Sequence, residues 1–351
     1  MSSGIEKRKA DHITLAAQGD VGFRQTTTLF ECVRLVHEAL PDLHADRIDT
    51  SLTLFGKKLR APIFIAAMTG GTEQAVSINR ELASIAEERG YGFGLGSQRP
   101  MYVDPSKTES FRVRGVAQNA LVLGNIGLVQ ARSMRSDEVQ RLVESVGADA
   151  LCVHLNPAME IIQPEGDRDF EDGEATLARL VRDLPFPVIV KETGCGISAR
   201  TARRLRAAGV RHVDVSGAGG TSWVAVETER ASGSTRALGE ALREWGIPTA
   251  ASVAQVASVG MDTVIATGGM ASGLDVAKAI ALGAHAAGIA RPVLKALMSG
   301  GRKAAEGFLE SVEAELRAAM LLVGAKDLDA LRKAPKVVVG ELSAWIEPSS
   351  E

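Results

Sequence analysis

The chain has 351 residues, 36 of them glycine, with only nine Phe, three Trp and two Tyr. An apolar fraction of 45% beside 24% charged residues excludes a disordered chain. A net charge of −3 excludes a general nucleic-acid surface, and no apolar run nears the ~18 residues of a membrane span.

Residues 1–60 read as an N-terminal arm carrying a basic cluster, Lys7-Arg8-Lys9. The opening stretch Met1–Asp11 has no apolar core, so no secretory signal is expected. Cys32, Cys152 and Cys195 are odd in number and far apart; they read as free thiols of a cytoplasmic protein. Strand-like apolar runs then follow at Ile63–Ala67, Tyr91–Leu95, Leu121–Asn125, Ala150–His154, Val188–Lys191, His212–Ser216, Thr263–Ala266 and Ala286–Ala290. Such continuous runs suit strands buried on both faces. Helical periodicity lies between them, at Asn79–Arg89, Asp137–Val146, Ser198–Ala208 and Asp275–Leu282. Eight β-then-α units predict an α/β protein, a (β/α)₈ TIM barrel over residues 61–300, in preference to a doubly wound sheet. The long interval from Ser216 to Thr263 reads as a loop over the site. Residues 301–351 read as a C-terminal extension, with an amphipathic helix at Ala304–Leu322 and a polar tail.

In a barrel the chemistry gathers where strands end. The predicted ends carry Met68-Thr69-Gly70, Ser97-Gln98-Arg99, Asn125, His154-Leu155-Asn156, Lys191-Glu192, Ser216 to Thr221, Gly268-Gly269 and Ala290-Arg291. Glycines there let backbone approach a ligand closely, although tight βα turns alone would also use them. The loops after strands seven and eight suit a phosphate, helped by the N–H groups of a helix starting near Asp275. Lys191 ends an apolar run, where an unpaired ammonium is expensive; it either faces a negative cofactor or pairs with Glu192 or Glu160. His154 is a site candidate or a satisfied core histidine. His212 and His285 start strands and read as structural. Cys195, in a Gly-Cys-Gly turn, lacks a neighbouring base and reads as inert rather than catalytic.

These residues, with Arg8-Lys-Ala-Asp-His12, Thr26-Thr-Thr28, Pro164-Glu-Gly-Asp167, Gly219-Gly-Thr-Ser-Trp223, Gly273-Leu-Asp-Val-Ala-Lys-Ala279 and Gly340-Glu-Leu342, closely resemble the type 2, FMN-dependent isopentenyl diphosphate isomerases. The resemblance implies conversion of isopentenyl to dimethylallyl diphosphate, with reduced flavin as acid–base and NADPH as its reductant. It places FMN near Met68, Thr69, Gly70, Ser97, Asn125, Lys191, Ser216 and Thr221. The FMN phosphate then falls at Gly269, Met270, Ala290 and Arg291. The prenyl diphosphate meets Arg8, Lys9, Ser97, Gln98, Arg99, His154 and Asn156, and Mg²⁺ is held by Glu160. Lys191 and His154 become the catalytic side chains. A homotetramer or homo-octamer is also implied, with neither nucleic acid nor membrane as partner.

Two positions depart from the family pattern. Met159 stands where the family has Gln, and Gln163 could reach the same face of a helix. Gly269-Met270-Ala271 lacks an Arg that usually follows. Met159 keeps open a relative acting on another prenyl or phosphorylated substrate. An FMN-dependent α-hydroxyacid oxidase on the same barrel needs a His base beyond the late strands, where only His285 stands. A flavin-binding protein without catalysis is the remaining alternative.

Overall fold

A computed structural model describes residues 2–346, with side chains from residue 8 onward; the Lys7 side chain of the basic cluster lies outside the described residues. Eight parallel strands close a barrel, each paired with its neighbours in chain order. They are β1 (Ile63–Ile65), β2 (Gly92–Gly94), β3 (Leu121–Gly127), β4 (Ala150–His154), β5 (Val188–Lys191), β6 (His212–Asp214), β7 (Thr263–Ala266) and β8 (Ala286–Ile289). All eight predicted runs are strands. The barrel closes where Ile63 of β1 pairs with Ala287 of β8.

Alternation along a strand sorts the barrel interior into tiers. Phe64, Leu121, Leu123, Ala150, Cys152, Ile189, Ile265 and Ala286 form a closed apolar cluster inside the barrel. Their outward neighbours, among them Ile63, Ile65, Leu151, Val153, Val188 and Val190, pack in the larger core with the surrounding helices. The hairpin Leu52–Leu54 and Lys57–Leu59 inserts Leu54 and Leu59 into the inner cluster and plugs the end where the strands begin. Continuing the inward alternation past this apolar floor brings Asn125, His154, Lys191, Asp214 and Thr267 to the opposite, C-terminal end. Register levels them: His154 pairs with Lys191, and Lys191 with Asp214.

The N-terminal residues serve more than one end of the barrel. The helix Ser2–Gln18 lies over the C-terminal mouth, whereas Val33–Leu35 pairs antiparallel with Lys336–Val338. As far as residue 346 the polar tail is structured, with further helices at Leu328–Lys333 and Glu341–Ile346. The interval after β6 is not one loop. It holds helices Trp223–Arg230, Gly233–Ala241 and Thr249–Ser258. The first of these, N-capped by Ser222 accepting from Ala225 N–H, turns Trp223 toward the mouth. The last helix predicted, Ala304–Leu322, is the second part of Arg291–Leu322, interrupted at Gly300 and Gly301. Among the described residues, no helix is long and apolar enough to cross a membrane.

Candidate active site

A cavity of about 550 Å³ opens at the C-terminal mouth, under the helix Ser2–Gln18. Nearly every predicted site residue lines it: Met68, Thr69, Ser97, Arg99, Asn125, His154, Asn156, Glu160, Lys191, Ser216, Thr221, Gly269, Met270, Ala290 and Arg291, with Arg8 and Lys9 from above. Two residues do not. A Cβ on Gly70 would fall 2.1 Å from the Phe111 ring, so Gly70 packs against the wall's outer side. Gln98 is fully buried, and its amide is spent on the scaffold. Its Oε1 accepts from Asn125 N–H at 2.8 Å and its Nε2 donates to Leu142 O at 3.2 Å. Gln98 therefore aligns β3 rather than contacting a ligand.

The floor is a chain of polar groups. Lys191 Nζ donates to Glu192 O at 2.6 Å and lies 4.0 Å from Asp214 Oδ2. Its ion-pair partner is thus Asp214, rather than the Glu192 or Glu160 carboxylate that the sequence suggested. Asp214 also accepts from Thr267 Oγ1 and from Ser216 N–H, while burial pushes its carboxyl upward. Neither Asp214 nor Thr267 stands out at a predicted strand end. Their signal in the sequence is different: a lone carboxylate inside the apolar run His212–Ser216, in step with the inward positions. Glu192 turns away from the cavity and accepts from the N–H groups of Thr193, Gly194 and Cys195. Burial pushes that carboxyl up to about 7. Burial and Glu192 also push the Cys195 thiol far upward, so it is no thiolate nucleophile.

His154 has a defined tautomer. Asn125 Nδ2 donates to Leu95 O at 3.0 Å, which turns Asn125 Oδ1 toward the ring. His154 Nδ1–H therefore donates to that oxygen at 2.8 Å, leaving Nε2 as an acceptor. Burial, then Lys191, Lys9 and Arg99, lower its pKa to about 3, so it is neutral at pH 7.

The roof gathers cations. Burial and the adjacent Arg8 and Arg99 push the Lys9 ammonium down to about 8, and Arg8 is lowered by burial and Arg99. Three cations crowded this way suit a polyanion. The affinity for inorganic diphosphate is expected to fall as pH rises through about 8. The free protein loses the Lys9 proton there, whereas a bound anion holds it on, so binding above that pH must take up a proton. Calorimetry between about pH 7 and 9 would check this; Lys9→Arg should flatten the profile. A flat wild-type profile would place Lys9 away from the anion.

The roof helix is anchored from below. His12 Nε2–H donates to Glu227 Oε1 at 2.7 Å, and Arg230 bridges Glu227 and Asp11. Arg291 Nε and Nη2 donate to Ala16 O and Gly19 O at 2.8 and 2.6 Å. The Arg291 guanidinium thus ties down the roof instead of reaching a phosphate; its backbone, at a helix start, remains on the cavity wall. The helix Gly273–Ala281 is likewise no phosphate site. Ser272, Asp275 and Glu315 already accept from the N–H groups of Asp275, Ser272 and Gly273.

The cavity walls bear on a flavin. Thr69 lines the cavity, and its Oγ1 is buried without a partner. Along the other wall, backbone meets backbone. A Cβ on Gly220 would lie 2.3 Å from Gly269 N, and Gly268, at φ +96, would place one 2.1 Å from Gly217 O. These walls and the Lys191 floor fit a flavin and its phosphate. Of the two carboxylates lining the cavity among the described residues, Asp214 is answered by Lys191 and Thr267, which leaves Glu160 for a divalent metal. Glu160 Oε1 accepts from Asn156 Nδ2 at 2.7 Å and Oε2 from Asp167 N–H at 2.8 Å. Among the described residues no three His, Cys, Asp or Glu side chains cluster as a metal site. Glu160 therefore fits a cation that arrives with a ligand's own oxygens.

The chain matches the model of the FMN-dependent dehydrogenase family over residues 1–160 and 161–337. It is 45% identical to an isopentenyl-diphosphate delta-isomerase of Methanothermobacter thermautotrophicus, over 97% of this chain and 96% of that one. A protein of the same name from Halobacterium salinarum is 45% identical over 99% and 97%. The chain belongs to the type 2 isopentenyl-diphosphate isomerase family. It is an isomerase with the FMN-dependent barrel of that family. Solved mandelate oxidases share the fold: one bound to (S)-2-phenylpropionate superposes with a TM-score of 0.65 at 19% identity, covering 96% of this chain and 98% of that one. In the family frame, Met159 faces the cavity beside Glu160, and Gln163 lies at the end of the same short helix, Pro157–Ile162. Gln163 is buried, with its Nε2 3.4 Å from Glu160 Oε2.

Proposed function

We propose that this chain converts isopentenyl diphosphate to dimethylallyl diphosphate, with FMN on the Lys191 floor, Mg²⁺ at Glu160 and NADPH as reductant. The observation that carries this reading is one cavity holding both a flavin-sized backbone cradle and, directly above, the Arg8, Lys9 and Arg99 cations beside Glu160. The reaction loses a proton at one carbon and gains one at another, so nothing is oxidised overall. When bound, reduced flavin supplies that proton exchange. The protein's own groups hold and exclude. Arg8, Lys9, Arg99 and Asn156 grip the diphosphate, Glu160 its metal, and Lys191 places positive charge beneath the flavin. Met159 and Trp223 keep the space between them apolar.

A hydroxyacid oxidase is disfavoured by the histidines. The cavity holds only His12 and His154 among the described residues. His12 is engaged by Glu227, and His154, lowered to about 3, is far too weak a base for neutral pH. His285 sits at the other end, where its Nδ1 accepts from Val264 N–H. Assembly into a homo-oligomer is proposed on the resemblance alone.

The test is product analysis under anaerobic reduction, with FMN, Mg²⁺ and isopentenyl diphosphate. Dimethylallyl diphosphate should form. Met159→Gln should leave kcat within about threefold, since Gln163 already brings an amide to that helix end. A gain of about tenfold or more in the glutamine variant would instead assign the natural site to another prenyl or phosphorylated substrate.

A further inference from the structure

The segment after the Glu160 helix is shaped around that carboxylate. Glu165 takes φ +60, and a Cβ on Gly166 would lie 2.0 Å from Glu160 O, so only glycine permits the approach. This brings Asp167 N–H onto Glu160 Oε2 at 2.8 Å and Arg168 Nη1 onto Glu160 O at 2.6 Å. The Asp167 carboxylate then turns the other way. Its Oδ2 accepts from Gln130 Nε2 at 2.7 Å and lies 3.5 Å from Arg99 Nη1. Arg99, Gln130 and Glu160 line the cavity, whereas Asp167 stands behind them.

We infer that Asp167 is a positioning residue that makes this site prefer metal-complexed to metal-free diphosphate. The inference rests on the diphosphate reading above. Asp167 aims Arg99 at the anion while answering part of its charge. Together with Glu160 it sets two carboxylates beside the anion's seat. A metal-free diphosphate is repelled by both, by Glu160 at the cavity wall and by Asp167 from behind Arg99; one that carries Mg²⁺ meets Glu160 as a ligand and Asp167 as a counter-charge at a distance.

The experiment is calorimetric titration of the FMN-loaded protein with inorganic diphosphate, with and without Mg²⁺. In the wild type, Mg²⁺ should tighten binding about tenfold or more. Asp167→Asn should bind the metal-free anion severalfold tighter, so that the ratio between the two forms shrinks while Glu160 keeps it above one. Asp167→Glu should keep the wild-type ratio. Asp167→Ser repeats the test if the amide variant does not fold, because it too removes the charge. A ratio in Asp167→Asn and Asp167→Ser equal to that of the wild type, even with both affinities lowered, overturns the inference and leaves Asp167 a structural brace. Wild-type protein that takes up neither form overturns the diphosphate reading, and the inference with it.

Discussion

Replacing Lys191 by methionine is expected to lower kcat about a hundredfold and to lower the reduction potential of the bound flavin by about 60 mV, the two-electron equivalent of about 2.8 kcal/mol. The ammonium lies in the cavity floor with its side chain only 12% exposed, between the Glu192 carbonyl and Asp214. A cation there favours the more negative, reduced form of whatever flavin rests on it. Methionine keeps the stem's volume and removes the charge. The fold should survive because Asp214, already pushed upward by burial, takes a proton once its cation is gone. Spectroelectrochemistry of the loaded variant reads the potential, and steady-state turnover reads kcat. An unchanged potential beside lost turnover would move Lys191 from beneath the flavin to the substrate.

Glu160→Gln is expected to cost about 10³-fold in Mg²⁺-dependent turnover while flavin binding stays near wild type and the melting temperature falls by a few degrees. The side chain is buried and nearly isosteric with glutamine. Asn156 Nδ2 can still donate to the remaining oxygen, but the other position, which accepts from Asp167 N–H, becomes a donor facing a donor. What is lost is the anionic oxygen that a hard cation requires. Metal titration of turnover measures the effect. If the variant saturates at the wild-type Mg²⁺ concentration with an unchanged maximum, the metal rests elsewhere.

Most of the site is legible in the ends of the apolar runs, because alternation is a local property. Asn125, His154 and Lys191 each follow an inward apolar residue by two positions: Leu123, Cys152 and Ile189. The same count from Ile265 reaches Thr267, and from the polar His212 it reaches Asp214; these two lie just beyond or inside their runs and so do not mark a run end. Gln98 shows the opposite failure. It stands at a strand end, yet its amide turns back to bond Asn125 N–H and Leu142 O, partners 27 and 44 residues away. Arg291, by its place after the eighth strand, points to a phosphate. Its guanidinium instead holds Ala16 O and Gly19 O, across 275 and 272 residues of chain. The Pro164–Asp167 motif is visible in the sequence, but its purpose depends on a backbone approach of Gly166 to Glu160 that no spacing rule reveals.

The eight-stranded barrel, its apolar interior and the polar tier above it can be read along the chain, since strand periodicity and hydrophobic burial act between near neighbours. The sequence also carried the glycines that let backbone meet backbone along one cavity wall. What covers that tier depends on contacts between distant segments. The roof helix is seated by Glu227 on His12 and by Arg291 on Ala16 and Gly19, contacts that exist only when distant segments meet. The same long-range packing decided which charges answer one another: Lys191 with Asp214, and Arg99 with Asp167. Charge pairing is a matter of distance in space, and distance in space is what a linear order of residues does not carry.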